Sequence, residues 1–136
     1  MRVLIYIVMV ITAGLLTSCS KDNAGDCFKS SGKAHTETRD LKYFKSINIE
    51  DKIDVFITQG SFWEVKVEAG KNLLKNIKTE VNDSTLTIKN INKCNFIRHP
   101  KNSIVKVLIT IPYLRVLKNS GVGTVSLENE FLQDSM

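Results

Sequence analysis

Residues 44–68, FKSINIEDKIDVFITQGSFWEVKVE, decide the fold class. Apolar side chains recur at alternate positions, first Ile47 and Ile49, then Ile53, Val55 and Ile57. Neighbouring side chains of a strand point to opposite faces, so a period of two marks half-buried strands rather than helix. Gly60-Ser61 closes the run as a turn. Trp63, Val65 and Val67 then share one face, opposite Glu64, Lys66 and Glu68. On this pattern Trp63 belongs to the core. Phe62, on the polar side, is a candidate exposed aromatic contact or a cap on the Gly60 corner.

The same period continues outward. Ile77, Thr79 and Val81 form one face, an Asn82-Asp83 pair offers a tight turn, and Leu86 and Ile88 follow in the returning strand. Val105, Val107, Ile109 and Ile111 make another strand, stopped by Pro112, which has no backbone donor. Leu114 and Val116, with Leu117 as a further candidate, lead to Asn119-Ser120-Gly121, and Val125 and Leu127 begin one more strand. The one stretch of helical character, GKNLLKNI at 70–77, is short. The chain is therefore all-β. Short strands with Gly or Asn at the corners allow a sandwich, a barrel or a solenoid, and periodicity alone does not choose among them.

Hydrophobic residues make up 43% and charged residues 24% of the 136, which excludes both disorder and a multi-span membrane protein. The net charge of +5 is spread in small groups. The first eighteen residues differ from the rest: Arg2 is their only charge, and an apolar run follows it. These are the parts of a secretory signal peptide, and the run is shorter than the roughly 20 residues that span a bilayer. Leu16-Thr17-Ser18-Cys19 resembles a bacterial lipobox, which implies a lipid anchor on Cys19. The alternative is a plain cleaved signal. Several acyl chains hold a protein on a membrane without a transmembrane helix. Ser20, where an Asp would resemble an inner-membrane retention signal, points to the outer membrane. Residues 19–38 then read as the lipidated cysteine and a polar tether, and 39–136 as the folded domain.

With Cys19 lipidated, Cys27 and Cys94 remain as an even pair in an oxidising compartment, and a disulfide between them is expected. Closing so long a loop would contribute about 4 kcal/mol on the chain-entropy view. Two free thiols are the alternative. No Cys-x-x-Cys or His-x-His spacing supports a metal site, and no cofactor is implied.

Several segments occur together: Leu41-Lys42-Tyr43-Phe44-Lys45-Ser46-Ile47-Asn48-Ile49, Ile53-Asp54-Val55 ending in Gln59-Gly60, and Val67-Glu68-Ala69-Gly70 before Asn72-Leu73. Leu86-Thr87-Ile88-Lys89-Asn90 before Asn92-Lys93-Cys94-Asn95, and Gly121-Val122-Gly123, complete the set. In this order they resemble the putative auto-transporter adhesin head (GIN) domain family of bacterial envelope lipoproteins. The resemblance implies a right-handed β-helix-like solenoid of short stacked strands and a non-catalytic role in adhesion. Such domains continue through further Gly-x-Gly repeats, so an incomplete domain is expected; a compact variant whose last strand pairs back on the body is the alternative.

Catalytic constellations are not apparent. His35 lies in the tether and His99 before Pro100, neither beside a nucleophile. Asp40, Glu50, Asp51, Asp54, Glu64, Glu68, Glu80 and Asp83 fall mostly on outward positions as solvated strand surface. Gly121-Val122-Gly123 lacks the remaining features of a phosphate loop and reads as a turn. Lys93, Arg98, His99 and Lys101 cluster around Cys94 as a candidate anion or glycan contact, or an ordinary solvated loop. Export and the lack of aromatics on a basic face argue against nucleic acid. The expected partners are the membrane, through the lipid, and a surface glycan or envelope protein. The alternative functions are a small carbohydrate-acting envelope enzyme and a non-functional fragment.

Overall fold

The computed structural model describes residues 30–92 and 104–129. Among these described residues nine strands form in chain order: β1 (Ala34–Arg39), β2 (Ser46–Ile49), β3 (Asp54–Gln59), β4 (Glu64–Gly70), β5 (Ile77–Asn82), β6 (Thr85–Asn90), β7 (Lys106–Ile111), β8 (Val116–Asn119) and β9 (Val125–Leu127). One short helix, α1 (Lys71–Leu74), lies between β4 and β5 and buries Leu73 and Leu74. The strands make two sheets, ordered β1-β4-β7-β3-β9 and β5-β6-β2-β8. The inward residues of both sheets meet in one apolar core, which includes Ile47, Ile49, Val55, Ile57, Val67, Leu86, Ile88, Val107 and Ile109.

The centre of each sheet is parallel. β2 pairs with β6 and β8, and β3 with β7 and β9, so that Ile47 faces Leu86 and Leu117 while Val55 faces Val107 and Val125. Antiparallel strands flank them: β1 and β4 in one sheet, β5 in the other. The strand pair β2–β3 thus lies between the pairs β6–β7 and β8–β9, each pair placing one strand in each sheet. The all-β expectation is met. The stacking does not follow chain order, because the earliest of the three pairs sits in the middle.

Corners explain how these layers stack. The chain passes from β2 to β3 through a bend at Asp51, whose φ is 65°. On one side of this corner the amide of Glu50 donates to Ile88 O (2.9 Å) and that of Asp54 to Val105 O (2.9 Å). On the other, Ser120 N donates to Ile49 O (2.8 Å) and Val122 N to Asp51 O (3.1 Å). A Cβ on Gly121 would collide with Asp51 O, and one on Gly123 with Ile53 O. The Gly-x-Gly pair permits this contact because only glycine lets one backbone approach another so closely.

Three sequence expectations need correction. Residues 34–38, read as tether, belong to β1, which pairs along β4 from Ala34↔Gly70 to Arg39↔Val65. As a polar edge strand, AHTETR, it has no apolar alternation to announce it. The β5–β6 turn falls on Asp83-Ser84 rather than Asn82-Asp83, with φ values of 47° and 58°, the positive pair that a two-residue hairpin favours. Trp63 precedes β4 instead of joining its buried face, and it is exposed. A buried asparagine group was also not legible. Asn92 Nδ2 donates to Leu73 O (3.1 Å) and to Asn90 Oδ1 (2.9 Å), and Asn76 Nδ2 donates to Asn92 Oδ1 (3.1 Å). Asn92 thus adds a second donor to Leu73 O at the end of α1, which also accepts from Asn76 N at 3.0 Å.

Candidate functional site

Large aromatic rings gather where the chain enters β2, enters β4 and leaves β7. Phe44 is buried, anchoring one corner of the core, and its neighbour Tyr43 is turned outward. Trp63 reaches the same corner: its Nε1 donates to Phe44 O at 3.0 Å. This bond holds the polar end of the indole while leaving much of the ring in water, the amphipathic use to which tryptophan is suited. Tyr113 follows Pro112, whose carbonyl accepts from Gln59 Nε2 at 2.8 Å. Two residues on, Arg115 N donates to Lys45 O at 2.7 Å, so the 112–115 crossing is tied down beside Tyr43.

The rings touch in a row. Tyr43 and Trp63 pack edge-to-face, with centroids 5.1 Å apart and planes at 62°, and Tyr43 lies 6.4 Å from Tyr113. Tyr43, Trp63 and Tyr113 are 46%, 42% and 46% exposed, and Phe62 beside them is 54% exposed. Singly exposed apolar residues are ordinary; a contiguous exposed group marks an interaction site.

The row borders a cleft of about 340 Å³ whose lining includes Arg39, Asp40, Leu41, Phe62, Trp63 and Glu64. Its polar walls are partly organised already. Arg39 Nη2 contacts Glu37 Oε2 at 3.1 Å and donates to Leu74 O at 3.2 Å, whereas its buried Nε has no partner among the described residues. Glu64 Oε2 pairs with Lys66 Nζ at 2.9 Å. The cleft therefore joins aromatic faces to hydrogen-bonding groups of both kinds.

Other acids serve the scaffold. Glu50 pairs with Lys89 at 3.1 Å, Asp51 Oδ2 accepts from Asn90 N at 3.2 Å, and Asp54 Oδ1 accepts from Thr124 N at 2.9 Å. Among the described residues no group of three or more His, Cys, Asp or Glu is placed to hold a metal ion.

Of the residues singled out from sequence, Phe62 lies at this cleft. Cys19, Cys27, Cys94, Lys93, Arg98, His99 and Lys101 lie outside the described residues. Sequence reasoning missed Tyr43, Tyr113, Arg39 and the outward turn of Trp63. A usable signal was present: each of the three rings sits at the end of a strand rather than within one, where alternation no longer dictates burial.

The chain matches, over residues 43–136, the family described as putative auto-transporter adhesin, head GIN domain, and it belongs to that family. Solved structures of similar fold include a putative adhesin from Bacteroides fragilis NCTC 9343, 23% identical, with a TM-score of 0.59 over 71% of this chain and 44% of that one. A putative adhesin from Parabacteroides merdae ATCC 43184 is 18% identical, with a TM-score of 0.58 over 73% of this chain and 40% of that one. A structure named putative lipid binding protein, from Parabacteroides distasonis ATCC 8503, is 23% identical, with a TM-score of 0.56 over 72% and 42%. The chain spans about two fifths of the length of these structures. Comparison with curated proteins finds no match.

Proposed function

We propose that this member of the adhesin-head family is a lipid-anchored envelope protein whose β module is a non-catalytic binding head. Its working surface is the aromatic row and the cleft beside it. The observation that carries the reading is the set of four exposed rings around one corner of an otherwise well-packed core. Binding residues characteristically sit on loops and element ends held by a rigid scaffold. A non-catalytic role is supported by the acids, several of which are committed to ion pairs or to corner amides.

Cys19 is the anchor in this proposal, with the outer membrane as destination, and Cys27 and Cys94 pair to tie the entry of the domain to the segment after β6. The three stacked strand pairs are the beginning of a β-helix-like stack, right-handed as the family resemblance implies. The parallel pairing of β6-β2-β8 and of β7-β3-β9 supports this.

Expression of the full chain in a Gram-negative host tests the anchor. The wild type is expected to incorporate labelled palmitate and partition with detergent, and Cys19→Ser to do neither; unchanged partitioning of the variant contradicts the anchor. Retention of the full chain on isolated envelope material tests the head. Phe62→Ala with Trp63→Ala is expected to abolish retention, and undiminished retention removes the cleft from the function.

A further inference from the structure

We infer that the cleft between residues 38–41 and 62–65 takes an uncharged pyranose unit of a glycan, a step that rests on the binding-head reading above. The sugar's C–H face lies on the rings of Phe62 and Trp63, and its hydroxyls meet Asp40, Glu64 and Arg39.

The lining chemistry selects this class. An aromatic ring carries negative charge on its face and positive charge on its edge, so it attracts the weakly positive C–H groups of a sugar ring. Sugar hydroxyls both donate and accept, whereas carboxylates only accept and guanidinium groups only donate. A ligand that satisfies Asp40, Glu64 and Arg39 together must offer both capacities along one edge and apolar C–H groups on another. Pyranoses do.

Charge excludes the nearest competitors. Among the described residues, the ionisable side chains lining the cleft are one cation, Arg39, and two carboxylates, Asp40 and Glu64. Arg39 is already engaged by Glu37 and Leu74 O and Glu64 by Lys66, so among the described residues the uncompensated charge at the cleft is Asp40, which repels a phosphate or carboxylate ligand. An alkyl chain would strip water from the carboxylates and return no hydrogen bond, which is costly. A cleft of about 340 Å³ is at the small end of ligand sites, on the order of one or two sugar rings.

Trp63 is the chain's one tryptophan, so its fluorescence reports on this cleft alone. The full chain, held in a polyoxyethylene detergent with no sugar headgroup, is titrated with maltohexaose, cellohexaose, mannohexaose, xylohexaose and chitohexaose. At least one is expected to give a saturable change in emission. Phe62→Ala and Asp40→Asn should each weaken it by about tenfold or more, with the thermal midpoint moving by no more than about 4 °C. Three results overturn the inference: no response to any of the five, affinity unchanged in both variants, or a response only to phosphatidylglycerol vesicles. Retention on crude envelope material separates the two levels. If retention still depends on Phe62 and Trp63 while every neutral oligosaccharide fails, the ligand class falls and the binding head stands. If retention is also lost from the wild type, both fall.

Discussion

The pairs β2–β3 and β8–β9 are joined by parallel ladders, yet they live in different surroundings. Ile47, Ile49, Val55 and Ile57 of the first are essentially fully buried, covered by a strand pair on either side. In the second, every residue of β8 is exposed and β9 is at best half-buried. The register of the ladder therefore dictates which way the side chains point. Whether those side chains leave water depends on what is stacked over them. The outer pair packs only Val125 against the core and is held largely by its backbone, through the ladder to β2–β3 and the Gly121–Gly123 corner resting on Asp51 and Ile53.

This contrast can be broken by substitution. Ile49→Ala in the middle pair should cost about 2–5 kcal/mol, as large cavities in packed cores do. Leu127→Ala in the outer pair, exposed in the described structure, should cost less than about 1 kcal/mol. Urea unfolding of the two variants checks this, and equal losses would erase the distinction. Gly123→Ala sharpens it. The added methyl collides with Ile53 O, and the expected loss is about 1–3 kcal/mol. The damage should be one-sided: the Val55 amide, bonded to Thr124 O, loses protection from hydrogen exchange, while the Asp54 amide, bonded to Val105 O, keeps it. A smaller and more local loss than at Gly123 is expected of Asp54→Ala. It removes the acceptor for Thr124 N, for a loss of about 1 kcal/mol, with exchange accelerated at Thr124 rather than across the core.

The legibility of the sequence divides along similar lines. The buried residues of β2, β3, β6 and β7 were readable because a period of two survives wherever one face is covered. Gly121-Val122-Gly123 was readable as a turn, but its reason, contact with another corner far away in sequence, was not. β1 was invisible because AHTETR is polar on both faces and stays in place through pairing with β4. Trp63 was misplaced for a related reason. Its spacing continues the Val65 and Val67 series, but the strand begins one residue later, and a bond from its indole nitrogen to Phe44 O holds the ring at the rim. The candidate site was legible only at Phe62. Tyr43, Trp63 and Tyr113 are brought together by the 112–115 crossing over the entry to β2, and no local pattern encodes that crossing.

Two surfaces compete as the place where this protein meets its partner: the aromatic cleft and the basic segment containing Lys93, Arg98, His99 and Lys101. Hydrogen–deuterium exchange of the full chain, with and without isolated envelope polysaccharide, separates them directly. Protection confined to residues 38–44 and 62–65 is the expected result. Protection of the segment around Arg98 and His99, with the cleft unchanged, would contradict it.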